Sequence, residues 1–109
     1  MPRVAVPVTT FTRDGVALPA VTTGDATNHH SVTPNDGRVG IIAKNTGAVS
    51  RDVTFRFSKL VDGKGIDPRV ETLTAGAEQG FGPFPTNDYG TTLNIDVAHA
   101  EVTLRAIRL

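Results

Sequence analysis

Four stretches of this chain alternate apolar and polar residues with a period of two, and no window reads as a helix. Val39, Ile41 and Ala43 interleave with Arg38, Gly40, Ile42 and Lys44, and Val53, Phe55 and Phe57 with Thr54, Arg56 and Ser58. Leu93, Ile95 and Val97 interleave with Thr92, Asn94 and Asp96, and Val102, Leu104 and Ala106 with Thr103, Arg105 and the exceptional Ile107. Successive side chains on a strand point to opposite faces, so each stretch predicts a strand with one buried and one wet face. Elsewhere, candidate helical windows are broken by Gly or Pro, or carry dense Thr and Val, whose branched side chains suit strands.

Turn chemistry separates the strands. Asp14-Gly15, Asp36-Gly37, Asn45-Thr46-Gly47, Asp62-Gly63 and Ala75-Gly76 are all turn-forming sequences. A weaker strand pair, Arg69–Leu73 and Gln79–Phe84, flanks the last of them. Short strands at this spacing predict an all-β fold, an antiparallel β-sandwich of seven or eight strands, immunoglobulin-like or jelly-roll-like. The inward phase nominates Val39, Ile41, Val53, Phe55, Phe57, Leu93, Ile95, Val97, Val102 and Leu104 for the core. Leu60, Val61, Val70, Leu73 and Phe84 are expected to add to it, with further apolar contact from another chain. At 109 residues the chain suits one domain.

The N-terminal third has a different texture. It is rich in Pro, Thr, Val and Gly, with weak periodicity and no large aromatic except Phe11. Val4, Val6 and Val8 alternate along an extended start, and Pro7 is unsuited to a central strand because it lacks an N–H. Two readings follow: an edge strand of the chain's own sandwich, or an extended arm that lies across a partner. We take the arm as residues 1–27 and the sandwich domain as residues 28–109.

Charge and composition narrow the function. Eleven basic residues balance eleven acidic ones. That neutrality argues against nucleic acid, whose binders show a basic footprint, and against a polybasic membrane contact. No stretch approaches the roughly 20 apolar residues of a membrane span. With no cysteine and no apolar signal segment after Met1-Pro2-Arg3-Val4, a product made in the cytoplasm is expected.

No catalytic constellation is spelled out. His29 and His30 are neighbours and would face opposite ways on a strand, while His99 and Glu101 would share a face but supply only two ligands. Ser31, Ser50 and Ser58 lie in no nucleophile-elbow context, and Gly76, Gly80 and Gly82 precede no helix that would cradle a phosphate. Neither an enzyme, a metal nor a cofactor is expected. Substitution of His29, His30 or His99 by Ala is expected to cost only small losses of stability.

One stretch stands out: Gly80-Phe81-Gly82-Pro83-Phe84-Pro85-Thr86-Asn87-Asp88-Tyr89-Gly90 places three aromatics among prolines and glycines. Pro83 and Pro85 remove backbone donors, so the strand cannot be zipped on both sides throughout. It reads either as a strand running into an aromatic-capped corner or as a ligand platform.

The order Asn35-Asp36-Gly37-Arg38, Ala43-Lys44-Asn45-Thr46-Gly47, Val61-Asp62-Gly63, Thr74-Ala75-Gly76 and Gly82-Pro83-Phe84-Pro85 resembles small all-β proteins of actinobacterial tailed phages and prophages. The resemblance runs from about Asn28 to Leu109. It implies a structural virion protein, a head decoration (cement, minor capsid) protein on the outside of the major capsid shell, without catalytic residues. Its implied partners are the major capsid protein and copies of itself, a trimer being the expected oligomer. The alternative is a carbohydrate- or receptor-binding sandwich of a phage fibre or tail tip. Candidate contact residues are Val4, Val6 and Val8 of the arm, Ile42 and Ile107 on the nominally polar phase, and Phe81, Phe84 and Tyr89 at the corner.

Overall fold

The computed structural model describes residues 3–109. In chain order these form β1 (Val4–Ala5), β2 (Val8–Thr10), β3 (Thr22–Thr23), β4 (His30–Val32), β5 (Val39–Asn45), β6 (Arg51–Arg56), β7 (Leu60–Val61), β8 (Lys64–Gly65), β9 (Arg69–Leu73), β10 (Glu78–Phe81), a single helical turn α1 (Thr86–Tyr89), β11 (Leu93–Val97) and β12 (Val102–Arg108). Two sheets pack into a sandwich, one in the order β1-β4-β11-β6-β9 and the other β10-β5-β12-β2, with β3 also against β12. Pairing is antiparallel except for β1 on β4 and β2 on β12. The strands beyond the expected seven or eight are short pieces of two or three residues.

The alternation decides the core. Nine of the ten inward candidates are buried, joined by Ala43, Ala106, Val6, Val32, Leu73, Phe84 and Tyr89; only Phe57 stays half-buried. Leu60, Val61 and Val70 do not contribute, being 61%, 58% and 51% exposed. The reason is local. Asp62 and Gly63 both take positive φ, 54° and 76°, as a type I′ turn requires. That turn folds β7 onto β8 as a hairpin of its own, apart from both main sheets. Val70 lies opposite Thr54 on the solvent phase of β6.

The start of the chain corrects the arm reading. The Val4 and Val6 N–H groups donate to His29 O and Ser31 O, each at 2.9 Å, so β1 edges the first sheet. Pro7, with no N–H to place, stands where the chain crosses to the other sheet. There β2 pairs in parallel with Ala106–Arg108, and Phe11 N–H reaches Arg108 O at 2.7 Å. The three short strands β1, β2 and β3 are thus paired into the two sheets, while residues 11–21 between them are irregular and largely exposed; Met1 and Pro2 lie outside the described residues. Val6 is 2% exposed and cannot be a contact residue, Val8 packs against the core, and Val4 alone keeps an exposed side chain. Parallel strands this short leave little periodicity to read.

This placement has a measurable consequence. Val6→Ala should destabilise the domain by about 1–2 kcal/mol in urea unfolding, the transfer cost of its lost methyl groups. A variant as stable as the parent would restore the free arm.

Candidate functional site

The two sides of the sandwich end differently. On one, β1 and β2 stitch across both sheets around Pro7; on the other, β9 and β10 are left as edge strands. The aromatic stretch lies on this open side. Gly82 has φ 131° and precedes a cis peptide to Pro83. Pro85 then caps α1, accepting hydrogen bonds from the N–H groups of Asp88 (3.1 Å) and Tyr89 (2.9 Å).

Asn35, 1% exposed, locks the corner. Its Nδ2 donates to Phe84 O at 3.0 Å and Gly90 O at 2.9 Å, and its Oδ1 accepts from Gly37 N–H at 3.2 Å. Phe55 packs against Phe81 and Phe84 with ring centroids 5.1 and 5.0 Å away. Phe84 meets Tyr89 edge-on at 5.0 Å, and Tyr89 stacks on Phe57 at 4.7 Å. Large side chains sit among the prolines because they close the open end of the sandwich. Phe84 and Tyr89, 3% and 6% exposed, are therefore packing residues rather than contact residues. A cleft of about 550 Å³ remains beside the rings, bordered by Arg69, Glu71 and Asp88. A hydrogen bond with the Tyr89 side chain raises the Arg69 guanidinium further above its already high value.

Ile42 and Ile107 share the outer face of the second sheet, whereas Phe81, opposite the buried Ile41, turns its ring inward onto Phe55 and offers that face only its backbone. The two isoleucines line a groove of about 450 Å³ there, with Pro83 and Leu109 at its margin. The register explains the hollow. Ile42 lies between Gly80 on β10 and Arg105 on β12, and Ile107 lies opposite Gly40. Gly40 and Gly80 carry no side chain where a sheet face would normally be covered. The isoleucines signalled this surface in the sequence; the glycines opposite them could have done so, but only once the register was known.

The histidines hold the fold. His30 is fully buried, with Nδ1 donating to Val4 O at 3.1 Å and Nε2 accepting from Asp25 N–H at 2.9 Å. This neutral tautomer clamps β1 and the Asp25 turn to β4, so its removal should cost more than the small loss expected from sequence. His29 sits at φ 62° and accepts from Val97 N–H at 3.3 Å. Nearby, Asp96 receives Arg3 at 2.7 Å and Arg56 from the other side. His99 accepts from Glu101 N–H within its own turn at 3.1 Å. Among the described residues, no group of three or more His, Asp or Glu could hold a metal ion.

These groups set the response to acid. Desolvation holds His30 below its ordinary 6.5. Burial alone would raise Asp96, but hydrogen bonds from Arg3 and Arg56 overcome it and leave the carboxyl below 3.8. Both groups bind protons more weakly folded than unfolded, so stability rises with pH. The His30 contribution is complete above about pH 6.5 and is lost as pH falls toward its folded value; that of Asp96 is lost only below about 3.9. Urea midpoints should therefore fall between pH 7 and 5, with a second fall below pH 4. His30→Gln should flatten the first. A midpoint constant from pH 7 to 5 would contradict the clamp.

Comparisons with protein-family models, curated proteins and solved structures find no match for this chain.

Proposed function

We propose that the chain is a structural protein of a tailed-phage virion, a head decoration protein seated on the outside of the major capsid shell. The observation that carries this reading is the apolar groove of Ile42, Ile107 and Pro83, which adjoins the open β10 edge. An apolar patch beside an open strand edge suits protein contact. The phage assignment itself is supported by the sequence resemblance. Several of its motif residues have structural roles: Asn35 locks the corner, Gly37 supplies a positive φ of 86°, and Gly82-Pro83 borders the groove. The carbohydrate-binding alternative has less support, because the corner rings spend their faces on one another.

Mass spectrometry of purified particles from the encoding phage or prophage tests the reading. It predicts the chain at high, fixed stoichiometry to the major capsid protein, with the trimer visible in a particle map. Absence from particles, or a few copies at the tail tip, would overturn it.

A further inference from the structure

We infer that β10 accepts an added strand from a partner protein, antiparallel to it, whose large apolar side chain lies over Gly80 and whose Lys or Arg two residues later meets Glu78.

Hydrogen-bond parity decides which backbone groups of β10 face the open edge. Asn45 N–H donates to Ala77 O at 2.9 Å, and the register runs on from Glu78 opposite Lys44 to Phe81 opposite Ile41. Hydrogen-bonded pairs alternate along an antiparallel ladder, so Gln79 and Phe81 turn their backbone groups toward β5. The N–H and C=O groups of Glu78 and Gly80 point the other way, to the open edge. The side-chain positions of these two residues lie on the outer face, level with Lys44 and Ile42.

At Gly80 a side chain is missing where one is wanted. A Cβ built there meets nothing within 4 Å, so the way across the strand to Ile42 and the groove is open. A residue opposite Gly80 on an added strand can fold over the glycine and cover Ile42, the way edge glycines are covered in designed sheets. At Glu78 the carboxylate bonds Arg105 at 2.7 Å and stays 42% exposed, which favours a basic neighbour across the new pair.

A second copy that pairs its own β10 with this one fits badly. Twofold antiparallel pairing of β10 joins outward residues to outward residues, so Gly80 would face Gly76, Glu78, Gly80 or Gly82. None of these brings an apolar side chain to Ile42. The β9 edge is also a poorer acceptor. It carries Arg69 and Glu71 opposite Phe55 and Val53, on the inward phase, a placement of charge that blocks strand addition. A heterologous strand on β10 is what remains. This inference concerns how the face is engaged and does not require the partner to be a capsid shell.

The test uses the full chain, labelled for NMR, and a synthetic peptide, acetyl-Thr-Val-Thr-Phe-Thr-Lys-Thr-amide. Saturable binding is expected, with amide exchange at Glu78 and Gly80 slowed at least about tenfold, the size of a 1.4 kcal/mol stabilisation. Replacing the peptide's Phe by Ala should weaken binding by a similar factor. Gly80→Val fills the gap with a side chain in open space and should abolish binding while the spectrum stays folded. Glu78→Lys should transfer preference to a peptide with Glu in place of Lys, which keeps the test decisive should the valine variant fail to fold. No saturable binding, protection on β9 instead, or unchanged binding by either variant would overturn the inference. Absence of the chain from virions would leave this result untouched, so the two readings fail separately.

Discussion

Phe55→Ala should lower the stability of the domain by about 3–5 kcal/mol, the range for truncating a buried phenylalanine. Phe55 has no exposed surface and stands on β6 opposite Ile95, with Phe81 and Phe84 on its ring. Those two neighbours come from β10 and the corner after it, so one side chain ties the first sheet to the open edge of the second. The site cannot collapse easily, because Phe84 is held in turn by Tyr89 and Asn35. A small domain has only about 5–15 kcal/mol in all, so the variant should be largely unfolded in mild urea. A loss below about 1 kcal/mol would mean that the ring cluster is not the closure described here.

Gly82→Ala should be nearly as damaging, and Gly80→Ala nearly silent. Gly82 holds φ 131°, a conformation that L side chains rarely adopt. An added Cβ would also lie 2.9 Å from Val39 O and 3.1 Å from Gly40 Cα, backbone atoms of β5 that cannot swing aside. Backbone strain of about 1–3 kcal/mol and overpacking of about 1–3 kcal/mol together give a loss near 3 kcal/mol or more. At Gly80 the same methyl group meets nothing. Parallel urea titrations of the two variants separate a glycine needed by the fold from one that leaves a surface open. Equal losses would remove that distinction.

The parts of this molecule that repeat with period two were legible from residues alone. Val39–Ala43, Val53–Phe55, Leu93–Val97 and Val102–Ala106 hold one register for long enough to fix both their type and their buried face. Val4–Ala5 and Val8–Thr10 do not, because each is only two or three residues long and bonds to one neighbour. Pro7 argued against a central strand only, and it stands at the crossover between two short strands. Leu60 and Val61 are apolar enough for a core, but the Asp62-Gly63 turn carries them out of it. The single turn Thr86–Tyr89 has no helical period to detect. Ile42 and Ile107 could be picked out as out of phase. What they face depends on a cross-strand register that no local pattern encodes. Phe84 and Tyr89 had two readings, an aromatic-capped corner and a contact surface, and packing between the sheets selects the corner.

The most direct measurement of the proposed decoration role is co-sedimentation of the purified chain with capsid shells of the encoding phage or prophage assembled without it, using Ile42→Asp as the comparison. Ile42 is half-buried on the outer face, between Gly80 and Arg105, so a carboxylate there has a guanidinium as its cross-strand neighbour, and circular dichroism of the variant checks that it stays folded. The parent chain should sediment with the shells, and Ile42→Asp should bind at least about tenfold more weakly, a difference of about 1.4 kcal/mol. A parent chain that stays in the supernatant, or an Ile42→Asp variant that binds like the parent, would contradict that role.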